Sequence, residues 1–184
     1  MNCRCLPFLC LMALSAGCAR RPAPVPRPHA FPRIEVYPET YHAVNNLMIN
    51  DSARFEPGVT EGWFDIVYPA YNVRVNCTLT HTESSLHLQS VIDNRIERLE
   101  RNAAGAPGEL TELTSTEGVG CMLIVTPGAL ATPVQFLATD SARYVLSGSA
   151  VFASPGVSPD SVAPIVNAIE RDMIYMLKHL PQKL

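Results

Sequence analysis

The sequence predicts an α+β domain: a mostly antiparallel sheet of about seven or eight strands with two long amphipathic helices packed on it. Three observations carry this expectation. Asn72–Thr80 alternates strictly, with Val73, Val75, Cys77 and Leu79 facing one way and Arg74, Asn76, Thr78 and Thr80 the other. That is the period of a half-buried strand. Glu83–Arg101 and the stretch after Ser158 switch to a helical period. The strand-like segments mostly follow one another, which favours short antiparallel connections.

The chain begins with material that reads as export signal rather than fold. Arg4 is the only charge before an apolar run, Cys5–Ala16, of about twelve residues. A membrane span needs about twenty, whereas the hydrophobic region of a secretory signal is this short. Small residues then lead to a cysteine in Leu14-Ser15-Ala16-Gly17-Cys18, which resembles the lipobox of bacterial lipoproteins. An aliphatic residue usually stands three before the cysteine; here Ser15 does, with Leu14 one earlier. The expected organisation is a signal peptide over 1–17, a lipidated Cys18 with a Pro-rich stalk to 32, and one globular domain over 33–184. Two or more acyl chains on Cys18 would anchor the protein stably, where a single chain is marginal. The stalk, Arg20–Pro32, alternates Pro with small residues. It favours extended polyproline II, reaching roughly 40 Å at about 3.1 Å per residue.

Within the domain, Phe31–Tyr37 reads as a first strand, Asn46–Ile49 as a second and Trp63–Tyr68 as a third, stopped by Pro69. Asn72–Thr80 follows. In Glu83–Arg101, Leu88, Val91, Ile92, Ile96 and Leu99 make an apolar stripe, with Thr82 or Ser84 as N-cap. Leu110–Thr116, Val119–Thr126 and Pro133–Thr139 read as strands. Val119–Val125 is apolar on both faces, so it should be a central strand, covered on each side. Asp140-Ser141-Ala142-Arg143 is a short polar turn into Tyr144–Phe152, giving a hairpin. Ser158-Pro159-Asp160 opens the last helix with a cap, a first-position proline and an early acid. Its stripe runs through Val162, Ile165, Val166, Ile169, Met173, Met176, Leu177 and Leu180.

Composition narrows the function. Hydrophobic residues are 47% and charged residues 17% of the chain, enough for a real core. The net charge of −3 leaves no basic surplus for nucleic acid. No Gly-x-Ser-x-Gly, Gly-x-Gly-x-x-Gly, phosphate-binding loop, His-Glu-x-x-His or Cys-x-x-Cys motif occurs, so no catalytic residue, metal or cofactor is assigned. Cys77 and His81 share a strand face, and Glu61 and Asp65 flank Trp63; a core cysteine, an edge histidine and surface carboxylates explain them without chemistry. Cys77 and Cys121 both fall on apolar faces. They are either two separate buried thiols or a disulfide closing a 44-residue separation, worth ~3–4 kcal/mol in the chain-entropy model. Asp-Ser-Ala at 51–53 and 140–142 resembles a short bacterial O-glycosylation motif that would modify Ser52 and Ser141, although Asp and Ser suit turns anyway.

Several longer segments resemble one family. They are the lipobox, Phe31-Pro32-Arg33-Ile34-Glu35, Gly62–Pro69 (GWFDIVYP), Thr132–Ser141 (TPVQFLATDS), Ser147–Phe152 (SGSAVF), Asp160–Ile165 and Glu170-Arg171-Asp172. Their order and spacing are similar to the gliding motility lipoprotein GldD family of Bacteroidetes. That family typically has a cysteine just before the tryptophan, where this chain has Gly62. The resemblance implies a membrane-anchored accessory lipoprotein of gliding motility and type IX secretion, with no enzyme activity or cofactor. Its partners would be other envelope proteins of that machinery and, through acylated Cys18, a bilayer facing the periplasm, inner or outer. Exposed aromatics near turns, such as Trp63, Tyr71 and Tyr144, are candidate contact residues, with ordinary core or sheet packing as the alternative. The competing expectation is a periplasmic ligand-binding lipoprotein or small envelope enzyme, with Cys77, His81 or Asp65 near a pocket.

Overall fold

The computed structural model describes residues 33–127, 129, 131–152 and 159–184. The signal peptide, Cys18 and stalk expected from the sequence lie outside the described residues, as does Ser158. In the domain, nine strands are described: β1 (Tyr41–Val44), β2 (Leu47–Asn50), β3 (Arg54–Pro57), β4 (Trp63–Tyr68), β5 (Val73–His81), β6 (Glu109–Thr114), β7 (Gly120–Val125), β8 (Val134–Thr139) and β9 (Tyr144–Phe152). Helix α1 (Ser85–Ala103) follows β5, and α2 (Pro159–Lys178) follows β9. Seven strands form one sheet in the order β3-β4-β5-β9-β8-β7-β6, every pair antiparallel. The α+β expectation therefore holds, with β1 and β2 forming a separate two-stranded ribbon.

The two-residue period decides which helix each strand residue meets. Phe64, Ile66 and Tyr68 on β4, Val73, Val75 and Cys77 on β5, and Leu146 and Ala150 on β9 share one buried cluster with Ile165, Ile169, Met173, Met176 and Leu177 of α2. The alternate residues Leu137 of β8 and Val145 of β9 instead meet Leu88 and Leu99 of α1, with Met122 and Ile124 packed alongside. The helices thus lie on opposite faces of the sheet. Strand β7 is apolar on both sides for this reason, as its sequence predicted, although it is second from the edge rather than central.

Polar side chains fasten α1 where its apolar stripe ends. Ser84 caps it, its Oγ accepting from the His87 amide at 3.2 Å. The helix ends at Ala104, which is left-handed (φ +51°). Gln135, fully buried on β8, donates to the Leu99 carbonyl at 3.2 Å and accepts from the Asn102 amide at 2.9 Å. Burying that amide is tolerated because its polar groups are paired.

The β8–β9 hairpin forms as expected. Asp140 Oδ1 accepts from the amides of Ala142, Arg143 and Tyr144 at 3.0, 2.7 and 3.1 Å. Burial opposes ionisation of this carboxyl, but the three amides outweigh it and hold its pKa below the ordinary carboxylate value.

The predicted first strand is a correction. Residues 33–36 belong to no strand, and Pro38–Thr40 is a single 3-10 turn. The carbonyl of Glu35 is taken by side chains, Thr40 Oγ1 at 2.7 Å and Asn50 Nδ2 at 2.9 Å, rather than by a neighbouring strand. Ile34 is buried, so the segment is fixed by packing. The first strand is instead β1, joined to β2 through Asn45-Asn46, both at positive φ (47° and 65°), which fits a tight two-residue hairpin.

Candidate functional site

The residues singled out for chemistry do not converge. Cys77 is buried in the α2-side core, and burial raises its thiol pKa far beyond physiological pH. His81 is exposed at the end of the same strand, four residues and roughly 13 Å away. Asp65 lies on the opposite face of the sheet, bound to Arg74 Nη1 at 2.6 Å. Glu61 is exposed in the β3–β4 turn. Among the described residues no group of three His, Cys, Asp or Glu is placed to hold a metal.

The two thiols resolve the alternative left open by the sequence. Both are free. Cys77 pairs with Gly148, Gly148 with Phe136, and Phe136 with Leu123 near Cys121. Three inter-strand steps separate them by roughly 14 Å, about twice what a disulfide spans. The cross-link considered from the sequence is therefore not made. Burial pushes the Cys121 thiol up to about 11 as well, so neither is a reactive thiolate.

The expected contact aromatics also divide. Trp63 stands 56% exposed at the start of β4. Tyr71 and Tyr144 are core residues, a correction to the expectation; the Tyr144 hydroxyl is taken by the Pro181 carbonyl at 2.9 Å. Ser52 and Ser141 are both exposed in turns, Ser141 at φ +63°, which is the accessibility a modified side chain needs.

One polar cluster was not legible in the sequence. Asp172, on α2 and 2% exposed, accepts from the Tyr41 hydroxyl at 2.5 Å and from the Tyr68 hydroxyl. Tyr41 also stacks on Tyr175 with ring centroids 3.7 Å apart. Desolvation raises the Asp172 pKa, and the tyrosine hydrogen bonds offset part of that rise. The cluster is sealed from solvent and fastens β1 and β4 to α2.

Among the described residues a crevice of about 1010 Å³ runs between residues 33–37 and α2, lined by Arg33, Glu35, Tyr37, Tyr71, Asn167 and Arg171, and two further surfaces are open. At the β3–β4 turn, a cavity of about 300 Å³ is lined by Leu47, Phe55, Phe64, Leu79, Leu146 and Leu184, with fully exposed Val59 in the same turn. Beside it, α1 leaves the β3–β4–β5 half of its sheet face uncovered. Arg54, Trp63, Arg74, Asn76 and Val151 are exposed there. The sheet edges are poorer docking sites. Strand β3 has four residues and ends in Pro57, and β6 carries Glu109 and Glu112. Short, Pro-bearing and charged edges resist strand addition.

A model of the family described as gliding motility lipoprotein GldD matches residues 21–181. The chain belongs to the GldD family. No curated protein and no solved structure matches it. Membership makes this a lipoprotein associated with gliding motility and anchored to a membrane of the cell envelope. Among the described residues no helix is long and apolar enough to cross a membrane.

The GldD resemblance also pointed to a cysteine where this chain has Gly62, and the backbone explains why glycine fits. Gly62 sits at φ +76°, a conformation that L side chains rarely adopt, and an added Cβ would collide with the Leu79 carbonyl oxygen. Its own carbonyl accepts from the Leu79 amide at 2.7 Å, pinning the start of β4 to β5. Gly62→Ala is expected to cost about 2 kcal/mol, read as a lower denaturation midpoint, with Gly62→Cys no better.

Proposed function

We propose that this GldD-family protein is an accessory component of the gliding and type IX secretion machinery. It acts by contacts with other envelope proteins rather than by catalysis. The observation that carries this reading is the pairing of a family match over residues 21–181 with a domain whose chemistry-bearing groups are dispersed or sealed. What the domain offers a partner is surface: the crevice at the β3–β4 turn and the sheet face beside Trp63. A body of this kind needs to be held in place. The Cys18 thioether, carrying two or more acyl chains, would hold it at a membrane facing the periplasm.

Deleting the gene is expected to abolish gliding and to reduce export of type IX cargo, with complementation restoring both. Intact motility and secretion after deletion would refute the accessory role. The anchor is tested separately. Cys18→Ser should leave an unprocessed precursor that carries no lipid, whereas globomycin, which blocks cleavage after the lipid is attached, should leave an unprocessed but lipid-modified precursor in the parent strain. Unchanged processing would rule out the lipid anchor. Intact-mass measurement of the purified protein bears on Ser52 and Ser141: a glycan mass lost in Ser52→Ala or Ser141→Ala assigns the modification.

A further inference from the structure

The β3–β4 turn carries an exposed apolar knob beside an apolar hole. Val59 is fully exposed at a turn position where polar residues or glycine are the rule. The turn holds the knob still. The Gly58 amide donates to the Trp63 carbonyl at 2.8 Å, the Trp63 amide to the Thr60 carbonyl at 3.0 Å, and the Leu79 amide to the Gly62 carbonyl at 2.7 Å. Gly58 and Thr60 line the crevice of about 300 Å³, whereas Val59 between them does not. Glu61 is the one ionisable side chain among the lining residues. Lys183 precedes Leu184, another lining residue. The tail that carries it is fixed by the Tyr144 hydroxyl on the Pro181 carbonyl and by the Gln182 amide on Glu117 at 3.0 Å. Glu61 and Lys183 are both exposed, and among the described residues neither makes an ion pair.

One small patch therefore holds a knob and a hole, an anion and a cation, side by side. Val59 cannot enter its own crevice without breaking the turn that carries it. A foreign partner would have to supply only a knob, or only a hole. A patch that displays both halves of two complementary pairs matches a second copy of itself about a two-fold axis, where residue i meets j and j meets i. We propose that the β3–β4 turn is a self-pairing surface. Two copies join by an isologous contact in which Val59 of each enters the crevice of the other, and Glu61 of each meets Lys183 of the other. Anchoring both copies to one membrane raises their effective concentration, so a contact of modest size suffices. This goes beyond the accessory role proposed above: the crevice is given to a second copy, and the sheet face beside Trp63 is left for other envelope proteins.

The experiment is sedimentation equilibrium of the detergent-solubilised lipoprotein, in a buffer whose density matches the micelle, over a wide range of protein concentration. The expected result is a reversible monomer–dimer equilibrium with no larger species, because a two-fold contact closes on itself. Val59→Asp is expected to weaken pairing at least about tenfold, as loss of a buried apolar anchor does. Glu61→Lys and Lys183→Glu should each weaken it about fivefold, by setting like charges opposite each other at two symmetric places. The double variant exchanges the charges and should return pairing to the parent value. All three side chains are exposed, so every variant should keep the parent far-ultraviolet spectrum and melting temperature. A monomer at every concentration would overturn the proposal, and so would a dimer that Val59→Asp leaves intact. A double variant as weak as the single ones, or assemblies that grow without closing, would overturn the two-fold arrangement. The readout is the mass of the purified protein, so it succeeds or fails independently of the secretion and motility phenotype.

Discussion

Asp172→Ala is expected to destabilise the domain by about 3–5 kcal/mol, enough to threaten folding at growth temperature. The substitution removes the acceptor for two hydroxyls from different elements, Tyr41 of β1 and Tyr68 of β4. Tyr68 is fully buried and Tyr41 nearly so, so water cannot replace the lost bonds without opening the core. Each orphaned hydroxyl costs about 1–3 kcal/mol, and the cavity adds to that. Asp172→Asn keeps the volume, an acceptor oxygen and a donor that can serve the second hydroxyl, and should cost about 1 kcal/mol. Urea denaturation of the three proteins checks the order. If the alanine variant matched the asparagine variant, the hydroxyls would be finding other partners.

The same residue gives the protein a pH signature. Burial raises the pKa of Asp172 in the folded state above its value in the unfolded chain. Within the window between those two values the unfolded chain has released its proton and the folded chain still holds it. Stability from this group is therefore full below the unfolded value and falls as pH rises towards the raised one. Asp140 acts in the opposite sense. Its depressed pKa makes its contribution present above the ordinary carboxylate value and lost as pH drops below it. The two windows adjoin at the ordinary value without overlapping. Asp172→Asn should therefore flatten the upper one and leave the acid limb set by Asp140 in place.

Why Asp172 escaped a reading of the sequence is instructive. Along α2 it interrupts an apolar stripe and looks like a wet-face charge between Ile169 and Met173. It is buried only because residues 131 and 104 positions away bring hydroxyls to it. Elements with a long, clean period were readable: β5, β7, β9 and both helices fall within a few residues of expectation. Strands β1 and β3 were not, because four residues carry too little periodicity to separate from a turn. The Phe31–Tyr37 segment carried a strand-like pattern, but its carbonyl at Glu35 bonds to side chains instead of a ladder. Trp63 was identifiable as an outward residue, whereas Tyr71 and Tyr144 were not identifiable as core. Their burial depends on which strands and which C-terminal residues close over them.

Gly148→Val is expected to be as severe, abolishing soluble expression or costing at least about 4 kcal/mol. Gly148 lies in β9, between β5 and β8, where Cys77 and Phe136 are its cross-strand neighbours. The ring edge of Phe136 occupies the space a Cβ would take, and Cys77 Sγ would lie 3.2 Å from it. Phe136 is 1% exposed, so its ring cannot swing away without displacing other core side chains. Even Gly148→Ala should cost about 2–3 kcal/mol. Gly120 supplies the contrast on β7. A Cβ there would meet nothing nearer than the Thr139 carbonyl at 3.8 Å, and its φ is not in the left-handed region. Gly120→Ala should be neutral or stabilising by less than about 1 kcal/mol, since it also restricts the unfolded chain. Shrinking the obstacle should rescue the clash: in a Gly148→Ala background, Phe136→Leu should cost far less than it does alone. That non-additivity in thermal unfolding is the measurement that decides the matter. Additive losses would mean that the glycine is needed for something other than the ring lying across it.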